Sequence, residues 1–141
     1  MKKIALVLLT VLLFSCASTN KTADKRPLFE VLTQQNDGGA SIHFFEILSE
    51  PNEIKMLQGD ENLKSKIGLN DIQTSNFVIL NMGQKTTGGY KIGIENVVET
   101  DKNIIITVKE TIPEPGGVVT QVFTNPFCVV RINSKKEIIF K

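Results

Sequence analysis

The chain has 141 residues, with 16 Lys and Arg against 15 Asp and Glu and a single histidine. So even a balance leaves no face-scale basic excess, which argues against nucleic acid as a partner and against electrostatic attachment to anionic lipid. One histidine and two widely separated cysteines cannot assemble a zinc site, and no cofactor-binding pattern is present.

Lys2-Lys3 precede an apolar run from Ile4 to Phe14 that only Thr10 interrupts. The run is shorter than the roughly 20 residues a membrane-spanning helix needs, and it fits the hydrophobic region of a signal peptide. Leu13-Phe14-Ser15-Cys16 resembles a bacterial lipobox. That resemblance implies a signal peptide over 1–15 and lipid attachment at Cys16, which then becomes the first mature residue. The lipid would hold the protein at a membrane of the cell envelope, and the absence of Asp after Cys16 leans towards the outer membrane. With Lys2 and Lys3 removed, 14 basic residues face 15 acidic ones. The membrane link would therefore be the lipid alone.

Residues 16–26 contain no large apolar side chain and read as a flexible tether. Such a tether holds a domain about 15–20 Å from the head groups. The remaining 27–141 are enough for one domain with one core. Leu28 to Thr33 alternates as a strand, Asn36-Asp37-Gly38-Gly39 is a turn, and Ser41 to Leu48 is a second strand. His43 points away from the apolar face there, as a half-exposed sheet residue. Ser49 or Asn52 as a cap, Pro51 in the first turn, and Ile54 with Leu57 three apart predict a short helix over 51–58. Asn62 to Ile67 can add a further helical turn, and Asn70 to Asn76 is a polar return.

Phe77-Val78-Ile79-Leu80-Asn81-Met82 is the pivot of the chain, an apolar run that reads as a strand buried on both faces. It empties into Gly83-Gln84-Lys85-Thr86-Thr87-Gly88-Gly89, a polar, glycine-rich loop of the kind that carries binding function on a rigid stalk. Lys85, Thr86 and Thr87 have the least structural excuse there and fit a polar interface rim. Gly88-Gly89 can instead be required by the backbone, with Tyr90 stacking in the core. Tyr90, Ile92 and Ile94 then alternate, Thr100 to Asn103 turns, and Ile104 to Thr111 returns as a β-branched strand. Pro113-Glu114-Pro115-Gly116-Gly117 forms a second special loop. Val118 to Thr124 alternates weakly as a strand, Asn125-Pro126 breaks it, Phe127 to Ile132 is a core strand, and Ile138 to Phe140 zips onto an edge.

Together these elements predict an α+β domain, predominantly antiparallel β as a sheet or sandwich, with one short helical insertion near 51–67. No catalytic constellation emerges. Cys128 sits in an apolar strand without a histidine near it in sequence, as a small core residue would. Glu95 with Glu99, and Glu110 with Glu114, read as solvated charge.

Gly83-x-Lys85-x-Thr87-Gly88-Gly89-Tyr90, Pro113-x-Pro115-Gly116, Val119-Thr120 and Pro126-Phe127 appear in the order found in the C-terminal domain family of the protease-complex subunit PrcB, which the stretch from Phe29 to Lys141 resembles. The resemblance implies a non-catalytic accessory lipoprotein that assembles with or stabilises an envelope protein, a protease among the candidates. Its contacts would run through Lys85, Thr86, Thr87, Gly88, Gly89, Tyr90, Pro113, Pro115 and Gly116, or through a sheet edge. Thr86-Thr87-Gly88-Gly89-Tyr90, Gly116-Gly117 and Asn125-Pro126-Phe127 also resemble the three inhibitory loops of chagasin-type cysteine-peptidase inhibitors, though the first loop lacks Asn-Pro and the third lacks arginine. Strand parity separates the two. If Val118 to Thr124 is a full strand, it carries Asn125-Pro126 to the end opposite the other loops, leaving a two-loop rim. That is the expected outcome.

Overall fold

A computed structural model describes residues 26–141. The expected signal peptide, the lipid site Cys16 and the tether up to residue 25 lie outside the described residues. Arg26, assigned by its sequence to the tether, already contacts the domain, where its guanidinium meets Asp71 at 3.2 Å.

The described residues form seven strands and two short helices in the order β1 (Phe29–Gln35), β2 (His43–Leu48), α1 (Pro51–Gln58), α2 (Asp71–Thr74), β3 (Asn76–Met82), β4 (Lys91–Glu99), β5 (Asn103–Thr111), β6 (Phe127–Ile132) and β7 (Glu137–Phe140). Four strands form an antiparallel sheet in the order β1-β6-β3-β2. The other three form a sheet in the order β4-β5-β7, with β7 parallel to β5.

Because β3 is apolar on both faces, something must cover each of them. Val78, Leu80 and Met82 pack with Cys128, Val130 and Ile132 of β6 against Ile92, Ile104, Ile106 and Ile138 of the smaller sheet. On the opposite face, Phe77 and Val129 meet Leu48, Ile54, Leu63 and Ile72 from the helical excursion and its flanks. The result is three layers, and each buried aliphatic or phenyl group contributes about 1.5–3 kcal/mol.

Helix α1 has the predicted bounds, but its N-terminus is closed differently. The cap is Glu50, and the Glu53 carboxylate accepts the N–H groups of Ser49 and Glu50, both at 3.1 Å. The helical turn expected at 62–67 is a run of turns instead, which still delivers Leu63 and Ile67 to the core. The polar return at 70–76 contains α2 and buries Asp71.

Val118 to Thr124 forms no strand. Its backbone bonds go to the glycine-rich loop: Lys85 N–H to Thr124 O at 2.8 Å, Thr124 N–H to Lys85 O at 3.0 Å, and Gly88 N–H to Thr120 O at 2.9 Å. With its donors and acceptors taken there, the segment stays at the end of the domain where β5 delivers it. Thr111 lies opposite Lys91, and Phe127 lies opposite Asn81 at the end of β3. All the connections that meet this end, 36–42, 83–90 and 112–126, therefore share one rim. The parity expectation of two loops is corrected to three.

Candidate functional site

The rim is built from the end of β3 outward. Asn81 is fully buried, an unusual place for an amide, and the loop after β1 satisfies it. Its Oδ1 accepts Ala40 N–H at 2.9 Å, and its Nδ2 donates to Ala40 O at 2.8 Å and also to Ile42 O. Gly39 passes so close that a Cβ there would stand 2.2 Å from Asn81 Oδ1. Gly39 N–H also donates to Asn125 O at 2.9 Å, which ties the first loop to the third.

The Asp37 carboxylate accepts Asn125 N–H at 2.9 Å. That bond, helped by Gly38 N–H, holds the Asp37 carboxyl below its usual value of 3.8. A depressed acid stabilises the fold above its unfolded pKa and loses that contribution as pH falls through the folded one. The Asn125 amide is accordingly expected to exchange faster below pH 3.8 than the acid dependence of exchange alone gives, and Asp37→Ala should remove the difference.

The glycine-rich loop packs flat against the 112–126 segment. A Cβ on buried Gly88 would lie 2.3 Å from Thr120 Oγ1; Gly89 has φ +92° and passes within 3.0 Å of Pro113 Cβ, measured the same way. Both glycines are therefore fixed by loop packing and backbone conformation. Thr124 Oγ1 donates to Thr87 O at 2.9 Å, and Thr87 Oγ1 donates to Gly88 O at 3.1 Å. Lys85 Nζ sits 5.5 Å from the Tyr90 ring centre, and Tyr90 packs on the inter-sheet core. Of the residues predicted from sequence, Thr86, Pro115 and Gly116 stand out into solvent, while Lys85, Thr87, Gly88, Gly89, Tyr90 and Pro113 build the loops.

What the sequence reading missed is apolar. Ile42, Ile112, Val118, Val122 and Phe123 are all exposed on these loops, Phe123 at 66 % and Val118 completely. Large apolar groups gathered on one end of a domain mark an interaction surface, and an aromatic among them is the usual anchor. The available signal was the bracket around them: Gly116-Gly117 before and Asn125-Pro126 after confine the segment to seven residues between breakers.

Two of the four carboxylates expected to be solvated, Glu110 and Glu99, form exposed ion pairs. Glu110 Oε1 lies 2.6 Å from His43 Nε2, and Glu99 lies 2.9 Å from Lys136 Nζ. Cys128 is fully buried, and burial pushes its thiol up to about 11, which keeps it neutral and inert. Among the described residues no group of three or more His, Cys, Asp or Glu could hold a metal ion.

No curated protein and no solved structure matches the chain. A family model does, over a narrower span than the resemblance in the sequence suggested; β1, β2, the helical insertion and β7 fall outside it. It takes in the central strand, the 83–90 loop, the 112–126 loop with its exposed Ile112, Val118, Val122 and Phe123, and β6: residues 76–133 match the family described as PrcB C-terminal.

Proposed function

We propose that this chain is a non-catalytic, lipid-anchored accessory module of the bacterial cell envelope that docks on a partner protein, a protease among the candidates, through its three-loop rim. The family description supports a place in a protease complex. The observation that carries the docking reading is the set of five exposed apolar side chains on the rim, flanked by the polar Thr86 and Lys85. Exposed apolar groups brought to one end of a domain, an aromatic among them, are what a protein interface uses as anchors. The chain enters the domain at the opposite end: Phe29 pairs with Ile132, beside the start of β3. A tether from Cys16 would thus leave the rim facing away from the membrane.

Phe123→Ala is expected to weaken capture of the partner from detergent-solubilised envelope by about 30-fold, the effect of losing a roughly 2 kcal/mol anchor. Leu69→Ala, more exposed than Phe123 but remote from the rim, should leave capture unchanged. Equal capture by both variants would remove the rim from the account.

One observation favours a second reading. With Asn125-Pro126 on the same rim as the Thr-Gly-Gly loop, the three-loop wedge of a chagasin-type inhibitor is geometrically available. The full chain would then slow a papain-like peptidase, and no slowing at micromolar excess would dispose of the idea.

A further inference from the structure

The four sheet edges of this domain are unequal. β1 is broken by a bulge between Val31 and Thr33, and β4 by one between Ile94 and Asn96. These two edges lie on the same side, where Gln34 Nε2 donates to Ile92 O at 2.8 Å. On the other side β2 and β7 run in unbroken register, with the Phe45 and Phe140 rings 5.3 Å apart. Bulges and shortness are how proteins blunt an edge against further pairing. β7 is short, with four residues; β2 has six and contains no proline, glycine or lysine.

The free groups of β2 follow from its register. Met82 N–H donates to Pro126 O, away from β2. By antiparallel alternation, Phe44, Glu46 and Leu48 then bond to β3, while His43, Phe45 and Ile47 turn their N–H and C=O groups outward. Among the described residues no strand pairs with that edge. Beside it, between β2 and α1, lies a groove of about 470 Å³ lined by apolar Leu48, Leu57 and Ile79 and by the carboxylates Glu46, Glu53 and Asp60. Met56 completes the lining, and no lysine or arginine contributes to it.

We propose that the β2 edge and this groove take an extended segment of another protein in which basic and apolar residues alternate, added as a fifth strand. Main-chain bonds to His43, Phe45 and Ile47 would supply affinity whatever the side chains; the basic side chains would face the groove, their aliphatic stems on Leu48, Leu57 and Met56, and the apolar ones the side of Phe45 and Phe140. Glu46 in mid-strand, with Glu53 and Asp60 behind it, favours cationic segments and repels acidic ones. This site is separate from the rim and stands or falls without it.

The test is amide hydrogen exchange on the full chain in detergent micelles, with a short peptide of alternating lysine and valine as the probe. The amides of His43, Phe45 and Ile47 are expected to slow by about tenfold at saturating peptide. A glutamate–valine peptide should give no protection, Glu46→Lys should weaken binding of the lysine peptide about tenfold, and Phe123→Ala should leave it intact. Three results would overturn the proposal: no protection at those amides, equal protection by the acidic peptide, or protection that grows with protein concentration in the absence of peptide. The last would give the edge to a second copy of the chain.

Discussion

Replacing Asn81 with leucine is expected to destabilise the domain by about 3–5 kcal/mol, although leucine matches the amide in size and suits its apolar surroundings. The amide is 1 % exposed and serves Ala40 N–H, Ala40 O and Ile42 O at once. Leucine would leave those backbone groups without their partner, at about 1–3 kcal/mol for each that water does not reach. Ala40 is exposed enough for water to recover part of that loss, which keeps the expected total below the sum. Gly39 gives an independent check on the same contact, since Gly39→Ala drives a methyl into Asn81 Oδ1 and into Asn125 O, 2.8 Å from the Cβ position. Both variants should lower the urea midpoint with little change in slope. Both should also weaken partner capture, because Ile42 and Asn125 ride on the loops that Asn81 and Gly39 hold together. A loss under about 1 kcal/mol for Asn81→Leu would mean that the amide is a bystander and that the rim is held by its backbone bonds alone.

The same residues mark how far the sequence could be read. β3 was legible because an unbroken apolar run has only one comfortable place, between two covering layers. α1 was legible from Pro51 and the Ile54–Leu57 spacing, both local signals, while the cap, expected at Ser49 or Asn52, falls between them on Glu50. The glycine-rich loop was recognised as the tip of that stalk, but the reason for Gly88 lies in Thr120, far along the chain. The reading of Val118 to Thr124 as a strand failed for a related reason. Its alternation and β-branched residues do favour extended backbone, yet the hydrogen bonds of an extended segment go wherever tertiary neighbours offer them. Here the neighbour was the loop at Lys85 and Gly88 rather than a sheet edge. That one difference kept Asn125-Pro126 on the rim and exposed Val122 and Phe123 at its surface. The parallel pairing of β7 with β5 and the burial of Asp71 were equally out of reach, because both are decided by residues distant in sequence.

Asp71→Ala is expected to cost about 3 kcal/mol, the second large effect. Its carboxylate is nearly inaccessible and accepts three bonds: from Arg131 Nη1 at 2.9 Å, Arg26 Nη1 at 3.2 Å and Gly68 N–H at 2.8 Å. Arg131 projects from the helical-layer face of β6 with only 12 % of its side chain exposed, and it also meets Glu30 and Lys66 O. Without Asp71 that guanidinium keeps one carboxylate in place of two, in a setting with little water. The neighbouring cavity of about 540 Å³, lined in part by Arg26, Lys66 and Arg131, lets some solvent in and holds the cost near the low end for a broken buried pair. Replacing both charges distinguishes the cost of breaking the pair from the worth of having it. The double variant D71L/R131M removes both buried ions and is expected to lose less than Asp71→Ala alone, because two desolvation penalties vanish with the attraction. Denaturant unfolding of Asp71→Leu, Arg131→Met and the double gives the coupling directly. Losses that simply add would show that each residue acts through separate contacts, Asp71 on the Gly68 turn and Arg131 on Glu30 of β1. A double variant at least as stable as either single would place the stability of this layer in its packing, with the ion pair fixing how α2 sits against β6.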